Sequence, residues 1–294
     1  METTITDFIG YLGGERGLSA NTLAAYRSDL TQYVAFLRSR GDSGWDVPTS
    51  TVQAFLYDLV RREYESSSQA RKLAAVKALY RYLLAEGVLR ADPSAEVGGA
   101  RVKKRLPNVL SPAQVQRLLG QASGDRTPER MRDRAMMEAL YATGMRVSEL
   151  VGLDVDDFDV ARPALALGRG DSRARVVPVG ARAAAAVADY IQDGRSKLLR
   201  RVNERAMFLN HRGNRLTRQG FWLIIKGYAR RANISTPITP HTLRHSFATH
   251  RLRAEGNVRE VQELLGHASP ATTQIYAELA REQRDDDAPT VAQP

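Results

Sequence analysis

Cationic, proton-transferring and nucleophilic side chains occur at short spacings in the second half of the chain. Arg146 lies in YATGMRVSELVGL, three residues before Glu149, which can pair with its guanidinium and orient it. His241 and Arg244 lie three residues apart in TPHTLRHSFATH and would project from one face of a helix near its N-terminus, where an anion is stabilised. The alternative for Arg146 is an ordinary surface ion pair, so this residue indicates a functional site only in combination with the others.

Two further residues of this kind follow in the sequence. His267 comes directly after Gly266 in VQELLGHAS, where a helix is expected to end, and Tyr276 follows nine residues later in TTQIYAEL. A tyrosine can attack a phosphorus atom, arginines can hold nonbridging oxygens, and histidines can exchange protons. Together these residue types could break a phosphodiester without a metal. The structural alternatives are a contact of His267 with a helix C-terminus and an ordinary core role for Tyr276, one of 11 tyrosines.

The elements that must position these residues are predicted to be helices beside a small antiparallel sheet. Helices are expected at about 112–121, 127–142, 147–152, 181–192, 217–231, 240–254 and 258–265. Between them, ALALGRGDSRARVVPVG contains two β-prone runs around a Gly-rich turn, which indicates a hairpin, and a third strand is expected near 155–160. Thr239 can cap the helix at 240–254, and Pro240 can occupy its first turn. His245 and His250 on that helix are expected to be structural.

The first hundred residues are predicted to form a helical bundle. Ser19 fits an N-cap for NTLAAYRSDLTQYVAFLRSRG, and Gly41 would end that helix. Further helices are expected from Thr49 or Ser50 to Leu59 and from about Ser67 to Leu84. In the last helix, the residues expected to face the core are Leu73, Val76, Leu79, Tyr80 and Leu83. Those expected on a basic outer surface are Arg71, Lys72, Lys77 and Arg81.

A break in pattern from Asp92 to Asn108, rich in Pro, Gly and charge, predicts a linker between two domains. We therefore expect a helical domain at 1–90, a linker at 91–108, a second domain at 109–284 and a flexible tail at 285–294. The basic run in the linker consists of Arg101, Lys103, Lys104 and Arg105. Such a run can be simply solvated, or it can contact a phosphate backbone.

The composition favours some kinds of binding partner and excludes some kinds of site. A formal net charge of +10 favours a polyanionic partner, because many basic side chains can displace counterions from phosphates. The absence of cysteine excludes disulfides, thiolate metal sites and cysteine nucleophiles. No segment has the pattern of a signal peptide or of a membrane span of about 18 apolar residues. We therefore expect a cytoplasmic protein.

The strings YATGMRVSEL, TPHTLRHSFATH, ELLGHAS and TTQIY, in this order and spacing, resemble the tyrosine recombinase or lambda-integrase family, and within it the Xer recombinases. The resemblance implies a mainly α fold with a small antiparallel β-sheet. It further implies a helical N-terminal core-binding (SAM-like) domain followed by the tyrosine-recombinase catalytic domain. The compact length, without an extra arm-binding domain, favours the Xer type over an integrase of a mobile element.

The resemblance also implies a role for each candidate residue. Tyr276 matches the nucleophile, which forms a 3′-phosphotyrosyl intermediate and releases a 5′-hydroxyl. Arg146 and Arg244 match the arginines that bind the nonbridging oxygens, a task suited to a permanently charged planar donor. His267 matches the histidine that stabilises the transition state, and His241 matches the one that hydrogen-bonds the phosphate and can assist as a base.

One position departs from the family pattern. The family carries a hairpin lysine within Gly-Lys-Gly that is thought to protonate the leaving 5′-oxygen, and here the corresponding string is Gly168-Arg169-Gly170. Arginine is a poor general acid because its pKa exceeds about 12. Three explanations remain: drift in an arginine-rich chain, a slower enzyme in which Arg169 acts electrostatically or through water, or dependence on a partner's active site. We favour the second.

The resemblance implies duplex DNA as the substrate and a tetramer, formed by this chain alone or with a recombinase paralogue. A DNA translocase could activate it. No cofactor, metal, membrane or small-molecule substrate is expected, since the tyrosyl bond conserves the energy of the phosphodiester. The implied biology is chromosome dimer resolution at cell division. The alternatives are a noncatalytic DNA-binding or architectural subunit of recombinase ancestry and an integrase of a mobile element.

Overall fold

The structure, a computed structural model, describes residues 1–99, 107–169, 174–266 and 270–287, except for the side chains of 270–272 and 282–287. The chain divides into two units, Met1–Arg105 and Leu106–Pro294, each with its own apolar core. This division falls within the segment that the sequence predicts as a linker. Val97 is buried in the core of the first unit, so the chain remains part of that unit beyond residue 90.

The first unit is a helical bundle, as predicted. Its helices are α1 (Glu2–Gly14), α2 (Ala20–Ser39), α3 (Thr49–Arg61) and α4 (Ser66–Ala85). The Ser19 hydroxyl accepts a hydrogen bond from the backbone N–H of Thr22 at 3.3 Å and caps α2, as expected from its position. The predicted apolar face of α4 is buried throughout.

Lys72 corrects one part of the surface prediction. The sequence predicts it on the basic outer surface of α4, but it is 6% exposed. Its ammonium forms an ion pair with buried Asp29 at 2.9 Å, donates to the Gln32 side-chain oxygen at 2.6 Å, and lies over the Tyr64 ring. A buried ammonium needs such partners. Helical periodicity alone does not reveal a carboxylate on a neighbouring helix.

The second unit combines helices with a three-stranded sheet. In order, its elements are α5 (Pro112–Gly120), α6 (Pro128–Thr143), α7 (Val147–Gly152), a 3-10 turn (Val155–Asp157), β1 (Phe158–Asp159), β2 (Ala164–Leu167), β3 (Arg175–Pro178), α8 (Ala181–Asp189), a π-helical turn (Tyr190–Gly194), α9 (Arg195–Leu198), α10 (Arg218–Arg231), α11 (Pro240–Glu255), α12 (Val258–Leu265) and α13 (Pro270–Asp287). The fold class is therefore the predicted one. Within the described ranges, none of the helices has the length and apolar character that a membrane crossing needs.

The predicted hairpin and third strand form an antiparallel sheet in the order β1-β2-β3. In the register of the hairpin, Leu165 lies opposite Val177 and Leu167 lies opposite Arg175. Leu165, Leu167 and Val177 point into the core of the unit. The hairpin is thereby fixed to the core at both strands, and Arg175 begins β3 at the end nearest the turn.

Helices α11, α12 and α13 pack together around a separate apolar cluster. Its buried members are Phe247, Ala248, Leu252, Val261, Leu265, Tyr276, Leu279 and Ala280. The cluster reaches back to the end of α6, where Gly144 has a left-handed backbone (φ 60°) and a Cβ would lie 2.2 Å from a ring carbon of Phe247. Only glycine fits both conditions. This close approach sets the end of α6 directly against α11.

Candidate active site

The start of α11 is built as the sequence predicts. The Thr239 hydroxyl accepts from the backbone N–H of Thr242 at 3.2 Å, and Pro240 occupies the first turn. These residues fix the first turn from which His241 and Arg244 project. His241 is exposed, whereas Arg244 is 4% exposed. Desolvation by the surrounding protein and the charge of Arg244 lower the pKa of His241.

Arg244 is held by backbone carbonyls from two different segments. Its guanidinium donates to the carbonyl of Gly144 and, at 2.9 Å, to the carbonyl of Leu265. Burial and the nearby Arg146 lower the pKa of Arg244 to about 10, against the opposing effects of Tyr276 and Glu149. The group therefore remains cationic at neutral pH. Arg244 is a buried positive charge whose orientation is fixed.

Glu149 joins two further arginines in an ion-pair network. Arg146 donates to it through Nη1 at 3.2 Å and through its backbone N–H at 2.6 Å. Arg175 donates to both carboxylate oxygens, at 2.8 and 3.2 Å. Burial alone would raise the pKa of Glu149, but the hydrogen bonds from Arg175 and Arg146 outweigh it and lower the pKa. Glu149 therefore pairs with Arg146, as predicted, and also with Arg175.

All three arginines converge on the C-terminal end of α12. Arg175 Nε donates to the carbonyl of Leu264 at 2.8 Å, and Arg244 Nη2 donates to Leu265. Arg146 Nη2 donates to the carbonyl of Gly266 at 2.9 Å. The end of a helix carries partial negative charge and favours cations. Gly266 is left-handed (φ 62°), and a Cβ there would lie 2.9 Å from the Arg175 guanidinium, so glycine allows this close packing.

The balance of charge suits an anion with several oxygens. Three guanidinium groups face one carboxylate, which leaves a surplus of two positive charges. The side chain of Arg146 is 31% exposed, so its donors can be reached from solvent. A phosphodiester presents two nonbridging oxygens that planar guanidinium donors recognise well. In the parts of the chain that the structure describes, no group of three or more His, Cys, Asp or Glu side chains is placed to hold a metal.

Tyr276 lies beside this arginine cluster, inside the apolar cluster of α11, α12 and α13. It is 4% exposed, and its hydroxyl lies 2.8 Å from Nδ1 of His245. Burial raises the pKa of Tyr276, and the positive charge of Arg244 opposes this. Burial, His241 and Arg244 together lower the pKa of His245 to about 4. His245 is therefore neutral and the phenol is protonated near neutral pH.

The structure does not bring every predicted site residue to the arginine cluster beside Tyr276. Arg169 forms an ion pair with Asp157 at 2.5 Å and donates to the carbonyl of Asp156 at 2.7 Å. Among its described contacts, none is with the three clustered arginines. His267 lies outside the described residues. Arg146, Arg244 and Tyr276 are brought together, and His241 lies on the same helix as Arg244.

Sequence reasoning missed Arg175 as a residue of this site and expected His245, which contacts Tyr276, to be structural. Arg175 is one of several arginines in the hairpin, and its position at the start of β3 was the available signal. His245 directly follows Arg244 and lies one helical turn after His241, so helical geometry could have placed it on the site face. By contrast, His250 on the same helix pairs with a different tyrosine, Tyr141, at 2.9 Å.

Comparisons with known proteins cover both units. The family described as "Phage integrase family" matches residues 108–283, and the one described as "Phage integrase, N-terminal SAM-like domain" matches residues 5–87. The chain is 48% identical over 285 residues to the tyrosine recombinase XerC of Roseiflexus castenholzii, covering 96% of this chain and 90% of the relative. It is 40% identical over 292 residues to the tyrosine recombinase XerD of Halalkalibacterium halodurans, covering 97% of each.

A solved structure agrees at the level of fold. It is the XerH site-specific recombinase bound to a palindromic difH substrate in a post-cleavage complex. The TM-score is 0.74 at 20% sequence identity, covering 92% of this chain and 80% of that one. The sequence motifs, the two family matches and the relatives of similar length agree with each other. The chain therefore belongs to the phage integrase family of tyrosine recombinases, in its Xer branch.

Proposed function

We propose that this protein is a site-specific recombinase that cuts and rejoins duplex DNA through a covalent bond between Tyr276 and the scissile phosphate. The observation that carries the proposal is the convergence of Arg146, Arg175 and Arg244 on one helix end beside the buried hydroxyl of Tyr276. Such a cluster stabilises the charge that develops on a phosphate in the transition state.

The proposed roles follow from the contacts. Arg146 and Arg244 bind the nonbridging oxygens, and Tyr276 attacks the phosphorus to give a 3′-phosphotyrosyl bond and a free 5′-hydroxyl. His241, exposed at the first turn of α11, hydrogen-bonds the phosphate. His267 is assigned the stabilisation of the transition state from its match to the family motif. The reverse attack by a 5′-hydroxyl rejoins the strand, so no external energy source enters the scheme.

The protein acts on DNA within an assembly of recombinase subunits. We propose a tetramer on two sites that exchanges strands pairwise, made of this chain alone or together with a paralogue, in chromosome dimer resolution at cell division. In this proposal a helical DNA-binding domain at 1–90 and a catalytic domain at 109–284, joined by a linker at 91–108, each contact the duplex. Activation by a DNA translocase and association with the nucleoid in the cytoplasm belong to the same proposal.

The test is covalent trapping on a nicked suicide duplex. The recognition sequence is first recovered as the genomic fragments that the Tyr276→Phe protein retains. Wild-type protein is expected to give a covalent protein–DNA band on a denaturing gel, and Tyr276→Phe is expected to give none. Tyr141→Phe is the matched control, because Tyr141 is also hydrogen-bonded to a histidine of α11 but lies outside the proposed site. This control should retain the band.

A specific observation favours a second candidate, a noncatalytic DNA-binding subunit. The hairpin carries Arg169 where the family has lysine, and the guanidinium is engaged with Asp156 and Asp157. Tight binding without a covalent band, with any required partner subunit present, would favour this candidate and refute the enzyme.

Arg169 itself is proposed to act electrostatically or through water near the leaving 5′-oxygen. Arg169→Lys supplies a group that can release a proton, so it should accelerate cleavage of an ordinary phosphodiester by about 10²-fold, the lower end of the usual range for general-acid catalysis. A 5′-bridging phosphorothiolate has a leaving thiolate that needs no proton, so the same variant should cleave it no faster than wild type. Equal acceleration on both substrates would contradict this role.

A further inference from the structure

The hydroxyl of Tyr276 is held by a histidine that the proposed roles do not use. Its oxygen lies 2.8 Å from Nδ1 of His245, with the two ring centroids 5.4 Å apart. We propose that His245 is a catalytic residue that accepts the phenolic proton of Tyr276 as the tyrosine oxygen attacks the scissile phosphate. The inference rests on the proposed function, in which Tyr276 is the nucleophile, and it deepens that function by naming the base.

The geometry meets the first requirement for a general base, which is contact with the proton to be removed. His245 is a fixed residue of α11, directly after the buried Arg244, and Tyr276 reaches it from α13. Since Tyr276 is 4% exposed, bulk water has little access to its hydroxyl. A proton leaving the phenol therefore has a built acceptor within hydrogen-bond distance.

The protonation states have the required direction. Burial, His241 and Arg244 lower the pKa of His245 to about 4, so its Nδ1 can accept a proton near neutral pH. Burial raises the pKa of Tyr276, partly offset by Arg244, so the phenol keeps its proton until it reacts. Among the described residues, the titratable and charged groups that act on His245 are His241 and Arg244 from its own helix and Tyr276 from α13.

The step balances without a further reactant. The bond between the Tyr276 oxygen and phosphorus forms, and the bond from phosphorus to the 5′-oxygen breaks. The phenolic proton passes to His245 Nδ1, and the leaving 5′-oxygen takes a proton from solvent water. The phenolic oxygen loses its basicity as it bonds to phosphorus, so a base of low pKa suffices at that point. The bound phosphate anion also stabilises the imidazolium. In ligation the proton returns to Tyr276.

His241 is less suited to this task in the described geometry. It is exposed at the first turn of α11, and its ring centroid lies 6.3 Å from that of His245. That position faces the site where a helix N-terminus favours an anion. In this proposal His241 hydrogen-bonds the phosphate, and His245 accepts the proton of the nucleophile.

The experiment compares His245→Gln, His245→Phe and His250→Gln in single-turnover cleavage of the nicked duplex. His250 is the matched control because it is a half-buried histidine of the same helix that contacts Tyr141 at 2.9 Å. Both His245 variants should cleave about 10²-fold more slowly than wild type, a typical loss for a missing general base. His250→Gln should cleave as wild type, and all variants should bind the duplex equally in a gel shift.

A fluorinated tyrosine at position 276 separates proton transfer from positioning. Fluorine lowers the pKa of the phenol, so the nucleophile needs less help and the defect of His245→Gln should shrink. An undiminished defect would overturn the proposal in favour of a purely positional contact. Cleavage by His245→Gln at or above the wild-type rate would also overturn it, with the hydrogen bond then acting as a restraint. Both results leave the proposed function intact, whereas a wild-type protein without any covalent band overturns both proposals.

Discussion

Replacement of Gly144 by alanine tests how the end of α6 is fitted against α11. The residue has φ 60°, and a Cβ would lie 2.2 Å from a ring carbon of Phe247 and 2.8 Å from a methyl carbon of Leu265. The left-handed backbone costs an L-residue about 1–2 kcal/mol, and an overpacked core costs about 1–3 kcal/mol more. We expect Gly144→Ala to destabilise the second unit by about 2–5 kcal/mol.

Gly256→Ala is the matched control for this prediction. Gly256 also ends a helix in the left-handed region, at φ 69°, but a Cβ there would meet no atom within 4 Å. The control should therefore lose only the conformational part, about 1–2 kcal/mol. The difference between the two variants isolates the packing of Phe247 and Leu265 on the glycine.

The assay uses urea unfolding followed by tryptophan fluorescence. The chain has two tryptophans, and in a Trp45→Phe background the remaining Trp222 reports on the second unit alone. With a slope of about 2 kcal/mol/M, the Gly144→Ala midpoint should lie about 0.5–1.5 M below that of Gly256→Ala. Equal midpoints would refute the claim that the close packing of α11 on Gly144 limits the stability of the second unit. Because the carbonyl of Gly144 accepts from Arg244, the same variant should also bind its DNA more weakly.

Three further predictions concern charge. The pKa of Glu149 is lowered in the folded protein, so the ionised carboxylate stabilises the fold above the unfolded value of 4.5, and this stabilisation is lost as the pH falls below it. The urea midpoint of Glu149→Gln should therefore depend less on acid pH than that of wild type, and parallel curves of midpoint against pH would contradict this. Asp29→Ala leaves the buried Lys72 ammonium without its carboxylate and should destabilise the first unit by about 3–5 kcal/mol. Glu2→Ala breaks an exposed ion pair and should cost less than about 1 kcal/mol. Equal losses would refute the claim that burial makes the first ion pair more important for stability. If the protein covers about 6–10 phosphates, the affinity of Tyr276→Phe for its duplex should fall about 10³- to 10⁵-fold between about 50 and 200 mM salt, and a salt-independent affinity would argue against backbone contacts.

Much of the fold follows from local pattern. The sequence pattern predicted α5, α6, α7, α10, α11 and α12 to within one residue at each end. The helix predicted at 181–192 instead passes through a π-helical turn at Tyr190–Gly194 before α9. Periodicity does not reveal an extra residue inserted in a helix. The two-residue strand β1 was predicted near its place, although longer than observed.

The site was predictable in its residue types and less so in its contacts. The motifs identified Arg146, Arg244, His241 and Tyr276, but nothing local indicates that Arg175 lies on Glu149 or that Tyr276 lies on His245. Those contacts join residues far apart in sequence and depend on how the elements pack. α13 also escaped the helix prediction, although it carries the proposed nucleophile.

The convergence of three arginines on one helix end has a consequence for the order in which the chain is made. A domain synthesised from its N-terminus folds as its segments leave the ribosome. Arg146, Arg175 and Arg244 emerge first, yet the helix end on which they converge, residues 264–266, follows them, and Tyr276 comes later still. A nascent chain therefore presents basic side chains long before it has a formed site. The ability to cut DNA would arise only after nearly all of the domain has emerged, so an unfinished chain could bind a duplex without breaking it.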